Sequence, residues 1–381
     1  MKNNFLIKQY NSDKKMKIKH NYLSEQFQNS KKIFRLIDDT VKFNDFTLGR
    51  YVDLFEREFC KYQKVKYSIG VGSGTDAIFL SLKALGIKEG DEVITPTYSF
   101  YATAGAIATA GAKPVFVDIK NDLNIDEEKI EKKITKKTKA IVPVHWSGRI
   151  CNMKKILTIA KKYKLHVVED ACHAIMAHDD KKKYAGNFGI TGCFSMHPLK
   201  NLNVWGDGGI VTTNNKKIYD KIRLMRNHGL ISRNDCKIYG YNSRLDTIQA
   251  AVGLEMIKKI NLITKNRIKN ARYLNDQLKD IKEITLIKEK TGYKSVYHLY
   301  QFFCKNRDGL DVYLRKNEID SKVHYPKPLH LHHAAKKFNY KNGQFEIAEK
   351  LAKKVISIPV HEFIKKKELD YMISKIKKFY K

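Results

Sequence analysis

One lysine, Lys200, stands near the end of the stretch Phe194-Ser195-Met196-His197-Pro198-Leu199-Lys200-Asn201-Leu202. The glycine-rich run Gly206-Asp207-Gly208-Gly209 follows directly. About thirty residues upstream, the apolar run Leu165-His166-Val167-Val168 ends in Glu169-Asp170. An aspartate at the end of one buried strand, then a serine and a lysine at the end of a later one, suits pyridoxal phosphate. The lysine amine forms a Schiff base with the cofactor aldehyde. The aspartate keeps the ring nitrogen protonated, and the serine reaches the phosphate.

A lone lysine in a lysine-rich chain is ordinarily a solvated surface group. The neighbours of Lys200 argue otherwise. Cys193, Phe194 and Met196 are apolar, and Gly208-Gly209-Ile210-Val211-Thr212-Thr213 reads as a turn into a strand. A lysine placed there points into a pocket, where burial lowers its pKa and makes it a better amine nucleophile.

The elements that position these groups alternate along the chain. Residues 22–66 read as helical, with a break near Phe46-Thr47-Leu48-Gly49. Strands are expected at 67–71, 92–95, 114–118, 140–144 and 165–169, as continuous β-branched runs of the kind found when both faces are covered. Helices are expected at 75–85, 99–110, 126–134 and 152–163 between them. This alternation predicts an α/β domain with a mostly parallel sheet. Helices at 244–259 and 267–278, a strand over 296–304, and helices near 309–316, 343–354 and 367–379 follow. The expected division is an N-terminal extension over 1–20, a large domain over 21–255 and a smaller α+β domain over 256–381. Met16 is an alternative start, or residues 1–15 form a flexible arm.

Composition narrows the class. The chain has 381 residues, 43% of them apolar, enough for a sizeable core. No apolar run reaches the roughly 18 residues of a membrane span, and the lysine-rich start lacks the apolar core of a secretory signal. Six scattered cysteines with no CxxC pair read as reduced thiols of a cytoplasmic protein. The net charge of +33 reflects lysine, which outnumbers arginine about five to one, in dispersed clusters. That is an AT-rich compositional bias, not the stripe of a nucleic-acid binder. The positive field also favours an anionic, phosphate-bearing substrate.

Gly70-Val71-Gly72-Ser73-Gly74-Thr75-Asp76-Ala77 enters a helix through a glycine turn. Such an N-terminus binds phosphate through its amides. The dinucleotide fingerprint fails because Thr75 stands where a third glycine is needed, and the Gly-Lys-Ser/Thr of a P-loop is absent.

Taken in order, these segments resemble a family. They are Gly-Ser-Gly-Thr-Asp-Ala (72–77), Thr-Pro-Thr-Tyr-Ser-Phe-Tyr-Ala-Thr (95–103) and Pro-Val-His-Trp-Ser-Gly (143–148). Val-Glu-Asp-Ala-Cys-His-Ala (168–174), the Lys200 stretch (194–202) and Gly-Asp-Gly-Gly (206–209) come next. Arg-Asn-His-Gly (226–229) and Gly-Tyr-Asn-Ser-Arg-Leu (240–245) complete the series. Over about residues 20–381 the chain resembles the DegT-type sugar aminotransferases, fold-type I pyridoxal-phosphate enzymes acting mostly on nucleotide-linked keto-sugars.

The resemblance implies roles. Lys200 is expected to hold the cofactor and then to move the proton, and Asp170 to face the pyridinium nitrogen. Gly74, Thr75, the backbone of Asp76, and Ser195 are expected around the phosphate. Phe100 is expected on the ring face and His173 near the ring hydroxyl. Asn242 is expected to reach the phosphate of a neighbouring subunit, which requires a homodimer. His324 and Tyr325 are expected beside the sugar, with His145 near the same pocket. The His324-to-His333 segment fits no zinc pattern. Trp205, in the Asn203-Val204-Trp205 insert, is expected to reshape the sugar pocket.

The expected activity is transfer of an amino group from glutamate to a keto-sugar for polysaccharide or glycan synthesis. The alternatives are a dehydratase, which in this family carries histidine in place of the lysine, and a regulatory protein without turnover. Lys200 argues against the first; Lys200, Asp170 and Ser195 together argue against the second.

Overall fold

A computed structural model describes residues 15–381; the arm expected over the first residues lies largely outside this range. Helices α1 (Leu23–Gln26), α2 (Lys31–Lys42) and α3 (Arg50–Gln63) open the described chain. Next come β1 (Tyr67–Val71), α4 (Gly74–Ala84), β2 (Glu92–Pro96), α5 (Tyr101–Thr109), β3 (Lys113–Val117) and β4 (Thr138–Ile141). After them come α6 (Met153–Lys162), β5 (His166–Asp170), β6 (Thr191–Ser195), β7 (Gly209–Thr213) and α7 (Lys216–Met225). The seven strands form one sheet in the order β1-β7-β6-β5-β4-β2-β3. β7 pairs antiparallel with both β1 and β6, while the remaining pairs are parallel. All five residues of β7 are buried, as are four of five in β1, β2, β3 and β5. Apolar layers cover both faces of the sheet, which is why its strands are continuous apolar runs and not alternating ones.

Two local departures have identifiable causes. The helix expected over 126–134 is a pair of 3₁₀ turns, Glu127–Lys129 and Glu131–Lys133. Buried Glu127 is tied there to Lys120 (2.6 Å) and Asn152 (2.8 Å), and these ties set the local path. Helix α7, not expected, starts where the Asn215 side chain accepts from the N–H groups of Lys217 and Ile218. It buries Ile222 and Met225.

A two-stranded ribbon, β8 (Leu230–Ser232) and β9 (Asp235–Cys236), precedes α8 (Thr247–Ile257), which packs on α3. The remaining elements are α9 (Ile260–Leu278), β10 (Ile284–Leu286), β11 (Tyr300–Cys304), α10 (Arg307–Lys316), α11 (Glu346–Ala352), β12 (Val355–Ile358) and α12 (Lys366–Phe379). Strands β10, β11 and β12 form an antiparallel sheet with its own apolar core, including Leu274, Phe302, Leu314 and Met372. Ile18 belongs to that core. The N–H groups of Lys17 and Ile18 donate to Glu318 O, and Asp320 N–H donates to Ile18 O (2.9 Å). Residues 17–20, expected in an extension, are therefore strapped to the smaller domain. No described helix is long and apolar enough to cross a membrane.

Candidate active site

Register brings the chemical groups together. β5 ends in Asp170 and β6 in Ser195, and Ser195 pairs with Gly209, which in turn pairs with Val71 at the end of β1. The chain leaves β1 through Gly72-Ser73 into α4, whose first turn therefore sits over the end of β6. The approach is close: a Cβ at Gly74 would meet Ser195 Cβ at 2.6 Å, and one at Gly209 would meet Ser73 O at 2.2 Å. Only glycine lets the helix N-terminus and Ser195 share this corner. Ser73 caps α4 by accepting from Asp76 N–H (3.0 Å), and Asp76 Oδ2 accepts from Ser243 Oγ (2.9 Å).

A cavity of about 430 Å³ opens at this edge of the sheet, at the carboxyl ends of the parallel strands, where open α/β sheets bind ligands. Gly74, Thr75, Phe100, Asp170, His173, Ser195, Lys200, His324 and Tyr325 line it, so nine of the expected residues converge. Burial pushes the Lys200 amine below its usual value, with Cys172 and Asp170 pulling the other way. Burial pushes His173 well below the ordinary imidazole value, reinforced by the charge of Lys200. Ser147 N–H donates to His173 Nδ1 (3.3 Å), which leaves the proton on Nε2. His324 is pushed to about 3 by burial, reinforced by His20, Lys322 and Lys200. Phe100, 37% exposed, lies against Tyr101 (3.9 Å between centroids) and Tyr325 (5.8 Å).

Two expected residues, His145 and Trp205, lie elsewhere, and the side chains of Asp76, expected only through its backbone, and of Asn242, expected at a neighbouring subunit, do not line this chain's cavity. His145 is fully buried outside the cavity lining, and both ring nitrogens are engaged. Nε2 meets Glu169 Oε2 (2.8 Å), and Nδ1 accepts from Cys151 N–H (3.3 Å). Its position one residue past Val144 turns it away from the pocket that Val144 lines. Trp205 is also outside the lining. It packs on Phe27 (5.5 Å) and Phe34 (5.4 Å), and its backbone carbonyl accepts from Gln249 Nε2 (3.2 Å). The Asp76 side chain is turned to Ser243. Asn242 is exposed on its own chain, beside Asn227, and does not line this chain's cavity.

The cavity also contains groups that the motifs did not reveal. His298 packs tilted against His173 (4.2 Å between centroids), and its Nδ1 lies 3.4 Å from Asn201 Oδ1. His20 and Tyr22 come from the N-terminal strap. Tyr22 stacks on His361 (4.7 Å) and accepts from Arg267 Nη2 (2.6 Å). His20 and His361 are each pushed to about 3, mainly by burial. No sequence pattern places residues 20–22 near residue 200, since the strap reaches the site through the smaller domain. Among the described residues, no group of His, Cys, Asp or Glu is arranged to hold a metal ion.

A mostly parallel sheet covered on both faces, with a lysine and an aspartate facing one cavity at its strand ends, is the arrangement of a fold-type I pyridoxal-phosphate enzyme. Residues 28–377 match the DegT/DnrJ/EryC1/StrS aminotransferase family, and the chain belongs to it. It is 40% identical over 365 residues to a "Pleiotropic regulatory protein" of Geobacillus stearothermophilus, covering 94% of this chain and 97% of that one. It is 35% identical to a UDP-N-acetyl-3-dehydro-alpha-D-glucosamine 3-aminotransferase of Acidithiobacillus ferrooxidans, over 88% of this chain and 89% of that one. It also superposes on NtdA of Bacillus subtilis with bound cofactor PMP, at a TM-score of 0.85 and 32% identity. That match covers 91% of this chain and 81% of that one.

The residues fit pyridoxal phosphate. A depressed amine and a carboxylate share one cavity, and the corner between α4 and Ser195 is a cradle that a Cβ at Gly74 would fill.

Proposed function

We propose that this aminotransferase moves an amino group from glutamate to the keto carbon of a nucleotide-linked sugar, with pyridoxal phosphate as cofactor. The observation that carries the reading is the convergence of Lys200, Asp170, Ser195 and the N-terminus of α4 on one cavity. The cofactor, when bound, supplies an aldehyde carbon for amino groups and an electron-withdrawing ring. Lys200 is the group that would hold it and then carry protons at Nζ; its lowered pKa keeps more of the amine unprotonated and able to accept. Asp170 would face the ring nitrogen. The first amides of α4, the Thr75 hydroxyl and Ser195 would take the phosphate, and Phe100 would cover the ring. The neutral imidazoles of His173 and His324, with Tyr325, would orient sugar hydroxyls.

The nucleotide-linked acceptor is supported by the name of the UDP-sugar relative. Use of the product in surface polysaccharide or glycan synthesis is part of the same reading. So is a homodimer in which Asn242 reaches the partner's phosphate site. Exposure supports that assembly: Thr75 is exposed at its own cavity, Tyr239 is 100% exposed beyond the ribbon, and Phe34, Val41 and Phe43 are each exposed.

The regulatory name of the Geobacillus relative favours a second reading, a cofactor-binding protein without turnover. Spectra separate the two. Protein loaded with pyridoxal phosphate is expected to show a visible band that glutamate bleaches. A band unmoved by glutamate and by glutamine favours the second reading, and no band at all overturns the cofactor assignment.

A further inference from the structure

Asp170 is gripped from behind. Its Oδ2 accepts a hydrogen bond from Thr103 Oγ1 (2.8 Å), and its Oδ1 accepts one from Cys172 N–H (3.2 Å). Thr103 Oγ1 also lies 2.8 Å from Ser99 Oγ. A hydroxyl has one proton to give. Thr103 gives it to the carboxylate, so Ser99 must donate to Thr103. The polarity of the chain is therefore fixed: Ser99 to Thr103 to Asp170. All three residues are buried, with Thr103 1% exposed and Ser99 and Asp170 each 5%.

A helical threonine commonly satisfies itself by donating to a carbonyl one turn back. Thr40 does so with Leu36 O (3.0 Å), and Thr158 with Lys154 O (2.9 Å). Thr103, in the first turn of α5, instead spends its proton on a side chain 67 residues away. Its backbone N–H donates to Phe100 O (3.2 Å), so the same residue is joined to the segment that carries Phe100. One residue thus links the carboxylate expected at the ring nitrogen to the aromatic expected on the ring face.

We propose that Thr103, backed by Ser99, is a positioning residue for Asp170 in the amino-transfer reaction. With Cys172 N–H on the other oxygen, it fixes the carboxylate plane and leaves the remaining lone pairs facing the cavity. The β-branched side chain suits the task, because its χ1 is stiff. The proposal rests on the cofactor reading above.

The test uses the full-length protein loaded with pyridoxal phosphate and compares Thr103→Val, Thr103→Ser and Ser99→Ala with the parent. Cofactor affinity is read by titrating the visible band and its pH dependence by spectra; the saturating rate (written kcat) and half-saturating glutamate concentration (written KM) are those of the single glutamate half-reaction, followed as the band bleaches. Thr103→Val is expected to weaken cofactor binding about tenfold, on the scale of one lost hydrogen bond to a charged group. It is expected to lower kcat about 10- to 100-fold with KM for glutamate changed less than about twofold, and to move the pH dependence of the band. Thr103→Ser is expected to restore both to within about threefold of the parent, with Ser99→Ala between the two. A Thr103→Val protein matching the parent in affinity, spectrum and kcat overturns the proposal. So does a Thr103→Ser protein that restores nothing, since the role is then packing by the methyl group. A parent protein with no band overturns the cofactor reading, and the proposal with it. A parent with a normal band beside an unchanged Thr103→Val removes the proposal alone.

Discussion

Glu169 and Asp170 are neighbours on β5 and point to opposite sides of the strand. Glu169 is fully buried, and its two oxygens accept four hydrogen bonds. Phe188 and Gly189 N–H meet Oε1 at 2.6 Å each, and Gly186 N–H and His145 Nε2 meet Oε2 at 2.8 Å each. Asp170 accepts two, from Thr103 and Cys172, and faces the cavity. A carboxylate can accept about four hydrogen bonds. Glu169 has spent its capacity on His145 and on the loop that follows β5, whereas Asp170 keeps part of its own for a ligand. The histidines repeat the pattern: His145 has both nitrogens engaged inside the core, while His173 keeps its Nε2 proton for the cavity. Residual valence, more than burial or residue type, separates the chemical groups here from the structural ones.

The largest effect belongs to the residue that defines the chemical side. Lys200→Ala is expected to lower amino transfer by at least about 10³-fold and to abolish the visible band, while circular dichroism and the mass of the particle in solution stay unchanged. Retained transfer in that variant would dissolve the contrast between the two sides of β5, because no special amine would then be needed.

Exchanging the two carboxylates one at a time gives the sharper test. Asp170→Asn removes a charge that faces the cavity. It is expected to lower kcat about 10²- to 10³-fold, with the apoprotein melting temperature moved by only a few degrees. Glu169→Ala strands buried donors that have no other acceptor. At about 1–3 kcal/mol for each unsatisfied group, it is expected to destabilise the fold by roughly 3 kcal/mol or more. Urea unfolding and steady-state kinetics on both variants separate the outcomes. A Glu169→Ala protein of parental stability would show that the four bonds contribute nothing.

His145→Asn against His173→Asn is the milder form. His145→Asn is expected to cost about 1–3 kcal/mol of stability and to leave KM for the sugar near parental. His173→Asn is expected to change kcat or KM several-fold with little change in unfolding midpoint. The reverse pattern would restore His145 to the substrate side.

Much of this arrangement was legible in the sequence. The order of strands and helices through β5 follows from apolar runs punctuated by glycine, and the motif series placed Lys200, Asp170, Ser195, Thr75 and Phe100, which the structure gathers around one cavity. What was illegible has a common cause. His145 and His173 both stand in the same motif series, and only three-dimensional partners reveal that one is saturated. Trp205 reads as an aromatic near the lysine, yet its contacts are to Phe27, just after α1, and Phe34, in α2. His20, Tyr22 and His298 carry no spacing signal. They reach the site through the smaller domain, whose short strands and irregular loops leave weak periodicity. Thr103 stands at the end of the 95–103 motif, but its hydrogen bond to Asp170 depends on how α5 docks against β5.

The cavity wall extends the contrast to pH. His20, His324 and His361 are each held near about 3 in the folded protein, chiefly by burial, against 6.5 in the unfolded chain. Between those values the unfolded chain binds more protons than the folded one, so stability rises with pH across the window. The protein is therefore expected to keep its full stability above about pH 6.5 and to lose it progressively as the pH falls toward 3. Each of these histidines adds up to about 1.4 kcal/mol per pH unit to the slope. His20→Gln with His361→Gln is expected to flatten the slope, and urea midpoints measured between pH 4 and 7 would detect it. The same imidazoles stay uncharged through that range, so KM for the sugar is expected to be flat from about pH 5 to 8. A KM that rises steeply below pH 6.5 would mean that the wall takes up protons while folded. The polar groups facing the ligand would then be cations, not the neutral imidazoles on which the contrast between chemical and structural sides depends.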